Sequence, residues 1–573
     1  MKWIVAYVCF IAVSVVSAVV QALIFKSLNK EIAIVSLTIG IFIAIYILLQ
    51  KNQFLSGLEK KDFGFWSIIS IIVFTLFSLR AFLWLVFKKG DSLNVLSPHN
   101  YGDMPSHIHF ITYLASGAKF WPDSPIISGY KFLYPIGMDL FNSLLILIGL
   151  DLVRSLIWVG LLCSIVTGAA LIVWGRAFTL SGFLFNGGFA GFIFFQNFVF
   201  DDYQRELAWK SIPLTLFIPQ RGFLFALPAG LLLLTSWKNR FFKSNNTSIM
   251  NSDILLPTWV EVLLYSSMPL FHMHTFIYLS LLLGFWLLFF SERYQIFNFV
   301  RISFLPALFL TALLTDFFSR ASMIHIHWGW EQNNQDFLRF WLLNFGIFLP
   351  LVIWLCISLF KTKKSDRATK AFTYPAIVFF VLFCNVMVSP YNWDNIKLLM
   401  WSYLILLPFI WEELIYDKHL FVKSYICFVL FFSGCISLIG GIGPKYNGFE
   451  MFNLSEIREV SSSIQGLSLK KRFACFPTFN HPLYFSGCKV VLGYPGWLWS
   501  NGYSIEGRDE KLKRFMFGDS DWQKLAKELE IRYIFWGPRE QHEYIASTKP
   551  WEQSATKVAS GSWGEIYDLG EFK

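Results

Sequence analysis

The sequence predicts a polytopic α-helical membrane protein that ends in a small α/β domain, and three observations predict it. First, 55% of the 573 residues are hydrophobic and only 15% are charged, against roughly 25% charged in soluble domains; the mean hydropathy is +0.52. Second, the apolar residues gather in runs near the length of about 20 residues needed to cross a hydrocarbon core of about 30 Å. Third, 63 Phe and 23 Trp exceed what a soluble core can bury, but suit a lipid-facing surface with interfacial aromatic belts. The net charge of +10 falls largely in short loops between apolar runs, where it reads as topology. No nucleic-acid motif and no internal repeat accompanies it.

The elements follow in order. Trp3 to Phe25 and Glu31 to Gln50 form the first two spans, the first being too long for a cleaved signal segment. Lys51, Lys60 and Lys61 place the following loop inside. Trp66 to Phe87 then crosses outward into a long polar segment, residues 88–139. Phe141 to Leu150 is short enough to be interfacial or re-entrant. Leu156 to Trp174 returns, Phe178 to Phe200 goes out, and Gly222 to Trp237 comes back to Lys238, Arg240 and Lys243. Val260 to Phe290 is too long for one span, and Pro269 with the two His after it predicts a break there. Ile302 to Leu314, Phe340 to Phe360, Phe372 to Val388, Leu398 to Ile415 and Ser424 to Ile442 complete about 13 spans by window length. The most basic loop is Lys361, Lys363, Lys364, Arg367 and Lys370.

This alternation divides the chain into a membrane domain, 1–444, and a soluble extracytoplasmic α/β domain, 445–573. In the latter, Lys489 to Leu492 and Arg532 to Trp536 read as buried strands. Asp519 to Leu529 reads as an amphipathic helix capped by Asp519 or Ser520. Cys475 and Cys488 lie there and could be free or bridged.

The unusual polar residues map to one membrane face. Asp103, His107 and His109 lie in the first external loop, Asp201, Asp202 and Arg205 open the second, and Arg221 closes it. His272 and His274 sit at the expected break, Glu331 lies in the third external loop, and Asp394 and Lys397 lie in the next. Ionisable groups at a membrane edge are costly and commonly mark a pathway or a reaction site. Each also has a plain structural use. Asp103 could be a helix N-cap, Asp201 and Asp202 a solvated loop, Arg221 an interfacial anchor, and Asp394 with Lys397 an i, i+3 pair. The His pairs, spaced i, i+2, leave a divalent metal ion as an open cofactor with no defined ligand set. Together the set suits transfer from a lipid phosphate, with a carboxylate taking the proton of an attacking hydroxyl and Arg or Lys neutralising the phosphate. No P-loop or Rossmann glycine pattern is present.

The segments Gly102-Asp103-x-x-x-His107 and Tyr134-Pro135-x-Gly137, with many spans and an external C-terminal domain, resemble the GT-C superfamily of membrane glycosyltransferases. Pro269 to His274, Trp393 to Lys397 and Gly493 to Trp497 are similar to segments of bacterial members of that group. The resemblance implies a polyprenyl-phosphate-linked sugar as donor and an acceptor glycan, lipid or protein at the extracytoplasmic face of the cell membrane. In that group the acid of the first external loop serves as base or acceptor-positioning group, and Asp103 matches it. The residues themselves add His107 or His109 as its helper, and Arg221 and Lys397, then Arg205, as ligands of the donor phosphate. Asp123, in the same loop, could share or replace the role of Asp103. The chain lacks an acidic pair in that loop and the Trp-Trp-Asp motif of oligosaccharyltransferases. The aromatic loop Gly493 to Trp499 suits stacking on a sugar or packing on the membrane surface. Two other functions fit the same architecture: a transporter or flippase of a lipid-linked or small polar substrate, and a non-catalytic assembly subunit.

Overall fold

The computed structural model describes residues 1–50, 64–242, 254–318, 324–361, 366–443 and 447–570. Lys51, Lys60, Lys61, Lys243, Lys363, Lys364 and the expected boundary at 444/445 lie outside the described residues.

The apolar runs become helices that pack through small residues. Helices α1 (Lys2–Phe25) and α2 (Lys30–Leu49) form a hairpin. They touch at Gly40, where an added Cβ would meet Ser14 and Phe10. Helix α3 (Phe65–Leu83) leads to strands β1 (Phe87–Lys89) and β2 (Ser92–Val95) and to helices α4 (Asp103–Ala115) and α5 (Gly137–Leu147). Helix α6 (Leu152–Leu184) then packs on α3, with the rings of Phe82 and Phe74 filling the space over Gly160 and Gly168. Ser78 and Ser164 share a hydrogen bond of 2.6 Å across this contact, as close helix packing in an apolar medium favours.

Helix α6 breaks at Gly175 and Arg176, whose backbone is non-helical, so the run from Leu156 ends at Trp174 as expected, and a second helical stretch continues to Leu184. The segment expected to cross from Phe178 to Phe200 instead leaves the helix at Phe185. It folds back through Gly187 and Gly188, which lie against Gln204 and the end of a later helix. Asn186 ties this turn down by donating to the Lys210 carbonyl and accepting from Ile212 N–H. Only two short turns follow, a 3₁₀ turn at Ala190–Ile193 and α7 (Phe194–Asn197).

Helices α8 (Phe223–Phe241), α9 (Thr258–Phe271), α10 (Met273–Phe289) and α11 (Arg293–Leu314) come next. The long run from Val260 is broken at His272, between α9 and α10. Strand β3 (His325–Ile326), helices α12 (Phe337–Phe345), α13 (Phe348–Lys361) and α14 (Arg367–Phe383), strand β4 (Val386–Met387), and helices α15 (Ile396–Ile410) and α16 (Leu420–Ile442) complete this part. Among the described residues, seven helices are long and apolar enough to cross a membrane, or eight if α12 and α13, bent by 89°, are one span. That is fewer than the sequence windows suggest. The windows count apolar runs whether or not they stay helical, and they miss that α10 has 17 residues and α9 only 14.

The C-terminal segment carries β5 (Phe449–Asn453), α17 (Leu454–Ser463), β6 (Arg472–Ala474), β7 (Lys489–Val490), α18 (Pro495–Ser500), β8 (Ile531–Trp536), β9 (Thr556–Gly561) and β10 (Gly564–Asp568). One sheet has the order β7-β6-β8-β10-β9, with β6 parallel to β7 and β8 and the remaining pairs antiparallel. The expected helix near 519–529 spans Trp522–Glu528, with Asp521 at its N-cap. Cys475 and Cys488 are buried and unbridged.

This segment is stitched to the loop between α3 and α5. Strand β5 pairs with β2, giving the order β1-β2-β5. Residues 125–128 run beside the end of β7: Val490 N–H donates to Pro125, Gly493 N–H to Ile126, and Ser128 N–H to Val491, at 2.7–3.0 Å.

Two glycines let the break at His272 sit against its neighbours. A Cβ at Gly222 would lie 2.1 Å from the Phe271 carbonyl oxygen, and one at Gly137 would lie 2.8 Å from that of Leu270. Backbone cannot yield as a side chain can. Gly222→Ala is therefore expected to cost about 1–3 kcal/mol, the range for overpacking a tight interior, read as a lowered midpoint in thermal unfolding of the detergent-solubilised protein.

Candidate functional site

Proline in a helix removes one backbone donor and clashes with the preceding turn. Pro269 lies three residues before the break, and His272 adopts an extended conformation. A helix that starts inside an apolar body exposes N–H groups that must find acceptors. Here the His272 Nδ1 accepts from Thr275 N–H at 3.1 Å. The Thr275 hydroxyl accepts from Trp401 Nε1 at 2.9 Å and lies 2.8 Å from the same His nitrogen, so its hydrogen points there. With Nδ1 occupied as acceptor, the neutral ring carries its proton on Nε2. That atom is buried and takes no protein partner, as is His274 Nε2; the two rings lie 5.5 Å apart.

Both His line a cavity of about 400 Å³. Its apolar wall includes Leu133, Phe271, Met273, Leu314 and Val388, and its polar wall includes Tyr134, Gln220, Asp394, Lys397 and Asn501. Lys397 and Asp394 sit one turn apart at the start of α15 and pair at 2.8 Å. Ser389 donates to the other Asp394 oxygen at 3.1 Å. The buried Asn395 holds the turn between them, donating to Phe383 and Val386 and accepting from Val388.

Asp103 opens α4 as its first residue, with Gly102 in the cap position and no side-chain cap bond. It is therefore not the N-cap. Its carboxylate is half-buried and feels His107, Lys397, Asp394 and His99. Burial pushes this carboxyl above its ordinary range, and the neighbouring His107 and Lys397 pull it partly back. The backbone just before it is fixed from the C-terminal segment, because Trp497 Nε1 donates to the Gly102 carbonyl at 2.9 Å. The loop Gly493 to Trp499 thus packs partly inward: Trp497 is buried, while Trp499 remains exposed beside Tyr391.

One turn along α4, His107 Nδ1 lies 3.0 Å from both oxygens of Asp139, which is itself buried at the start of α5. Arg221 is 1% exposed and donates to Asn142 Oδ1 at 2.6 Å, and its charge is felt by Asp139. Gln220 and Gly222 face the cavity, whereas Arg221 is absent from its lining. Arg221 therefore lies behind the cavity wall.

The remaining sequence candidates lie elsewhere. His109 stacks on Tyr484 at 4.5 Å and donates from Nε2 to the Cys488 carbonyl at 2.8 Å. Burial pushes it down to about 4, so it is a neutral fastener between α4 and the C-terminal segment. Asp202 binds His99 at 3.0 Å, and exposed Asp201 accepts from Asp202 N–H at 2.8 Å. Arg205 is exposed, 3.5 Å from Glu206. Asp123 pairs with Lys131 and Lys489. Glu331 lines a second, smaller cavity. Sequence reasoning missed Asp139, Thr275 and Ser389. Only Asp139 carried a signal, as an acid opening a short apolar helix. Among the described residues, no three His, Cys, Asp or Glu side chains converge to hold a metal ion.

The sequence matches no known protein-family model and no curated protein. Its structure is similar to those of an archaeal enzyme, the Archaeoglobus fulgidus oligosaccharyltransferase. The crystal structure of that enzyme tethered to an acceptor peptide aligns over 90% of this chain and 75% of that one, with a TM-score of 0.47 and 12% identity. The apo form aligns over 85% and 72%, at 0.48 and 11%. Its complex with an inhibitory peptide and a dolichol-phosphate aligns over 84% and 71%, at 0.41 and 10%.

The Asp103 shift has a signed consequence. A carboxyl whose folded pKa is raised binds more protons folded than unfolded, so its contribution to stability is present at low pH and lost as pH rises through the folded pKa. Asp103→Asn is expected to raise the thermal midpoint at neutral pH. The gain should shrink as pH falls toward the ordinary carboxylate range of about 4. A midpoint unchanged or lowered at neutral pH would refute the assigned shift.

Proposed function

We propose that this protein is a membrane glycosyltransferase that moves a sugar from a polyprenyl-phosphate donor to an acceptor at the extracytoplasmic face of the cell membrane. One observation carries the reading. A partly apolar cavity is lined by Lys397 and by two His whose buried Nε2 atoms take no protein partner, and a half-buried aspartate lies within electrostatic reach.

The apolar wall suits the first isoprene units. Lys397 spends one of its three N–H donors on Asp394 and keeps two for a phosphate oxygen. His272 lines the same space. In the transfer, the bond between the sugar C1 and the donor phosphate oxygen breaks, and its electron pair stays on the phosphate. The acceptor oxygen forms the new bond to C1, and its proton passes to the Asp103 carboxylate. The phosphate goes from one negative charge to two. Fixed donors aimed at that oxygen therefore bind the transition state more tightly than the ground state. A carboxylate with a raised pKa is also a stronger proton acceptor. The Asp139–His107 pair lies one turn along α4 from Asp103 and fixes the His107 ring. Arg221 supports that pair from behind through Asn142 and its charge, in place of the direct phosphate contact expected from the sequence.

Native mass spectrometry of the gently purified protein should show a retained polyprenyl phosphate or its glycosylated form. Lys397→Met is expected to lose at least tenfold of that occupancy. Asp103→Asn should keep the lipid while glycosyl transfer falls by two or more orders of magnitude, the scale of general-base catalysis, about 10²–10⁴-fold. A folded wild-type protein that fails to bind added polyprenyl-phosphate lipids would overturn the proposal.

A further inference from the structure

Beside the donor cavity lies a second one of about 210 Å³. Its lining differs in kind. Glu206, Glu331 and Lys210 contribute charge, Asn333 and Gln335 contribute amides, and Tyr391 and Trp393 contribute rings. One stretch of chain separates the two spaces. Val388, Ser389, Pro390, Asp394 and Lys397 face the first cavity, while Tyr391 and Trp393, from the same turn, face the second. Trp393 is pinned by its Nε1–H to the Ala208 carbonyl at 2.8 Å, and Tyr391 packs 5.8 Å from it. The Lys210 ammonium sits 5.3 Å from the Trp393 ring centre. Lys210 and Glu331 feel each other's charge without closing to an ion pair.

The chemistry narrows the occupant. Two carboxylates against one lysine disfavour a phosphate or carboxylate ligand, and the scarcity of aliphatic residues disfavours a lipid tail. Lys210 opposes a cationic ligand. A neutral ring bearing many hydroxyls meets every feature: alternating donors and acceptors for its hydroxyls, and aromatic faces for its C–H face. The volume, below the roughly 300–1,000 Å³ of drug-sized pockets, suits one pyranose ring.

We infer that this second cavity is a saccharide subsite, built on Tyr391, Trp393, Lys210 and Glu331 and placed across the 388–397 turn from the donor phosphate. Its place in catalysis rests on the transferase reading, but the binding itself does not. The sugar can come from the acceptor or from the donor. Both present the same hydroxylated ring.

Saturation-transfer NMR of the full chain in detergent, with methyl glycosides of glucose, galactose, mannose and N-acetylglucosamine, tests it. At least one glycoside should receive saturation from wild type. Glu331→Gln and Tyr391→Ala should each weaken that signal at least fivefold while retaining polyprenyl phosphate in native mass spectra, which shows that the variants fold. Lys397→Met should leave the glycoside signal intact. Adding polyprenyl-phosphate hexose separates the sources: displacement of the glycoside assigns the subsite to the donor sugar, and coexistence assigns it to the acceptor. No saturation with any of the four glycosides, or saturation untouched in both variants, overturns the inference. Glycoside binding without any polyprenyl-phosphate binding would leave the subsite standing and sink the transferase.

Discussion

The arrangement depends on one backbone problem, a helix that begins where water is scarce. The start of α10 faces the packed body, so its first N–H groups need acceptors, and the His272 side chain supplies one to Thr275. That contact orients the imidazole ring and, with Nδ1 accepting, leaves the proton on Nε2 of a residue that lines the cavity. Trp401 on α15 donates to the Thr275 hydroxyl, so the break is tied to the helix that carries Lys397. Gly137 and Gly222 then let α5 and α8 approach the broken backbone within distances no side chain would allow. The residue that meets this structural demand also lines the cavity.

The second constraint comes from outside the helical body. Asp103 sits on a short helix in a loop, and loops hold position poorly unless their backbone is paired. Here β2 is paired by β5, residues 125–128 are paired by the end of β7, and Trp497 holds the carbonyl next to Asp103. His109 and Thr112, on the face of α4 turned toward the C-terminal segment, add bonds to Cys488 and Tyr484. The C-terminal segment thus acts as a clamp. It contributes Ser500 and Asn501 to the cavity rim, and its larger effect is to hold the loop that presents the carboxylate.

Much of the fold was legible because lipid imposes a length. Trp3 to Phe25 and Glu31 to Gln50 are helices within a residue or two of their apolar runs. The break in the run from Val260 was legible because 31 residues exceed one crossing of about 20 and because Pro269 falls inside it. Phe178 to Phe200 failed for the opposite reason. Its apolar content is real, but Asn186, Gly187 and Gly188 let the backbone turn back against Gln204 and α12, and hydropathy alone does not register that. Within the site, Asp394, Lys397 and the His pair were found because charged or polar side chains stand out against apolar runs. Arg221 stood out equally, but its direction did not follow. The sequence gives its position at the head of α8, while its rotamer is set by Asn142 on α5, a partner 79 residues away. Asp139 was hidden because its role needs His107, 32 residues earlier, brought to 3.0 Å by the α4–α5 packing.

The balance of charge lets these groups share a largely buried space. Asp394 pairs with Lys397, and Asp139 faces His107 and feels the charge of Arg221. Isolated charges in such a place would cost several kcal/mol each. In the proposed transfer, a donor phosphate would bring one negative charge beside the paired Lys397, and cleavage of the sugar bond would add a second just as Asp103 took a proton. The total charge of the site would then be conserved through the step. A low-polarity cavity penalises net charge far more than charge moved between prepared positions, and that is the physical argument for placing such a transfer here.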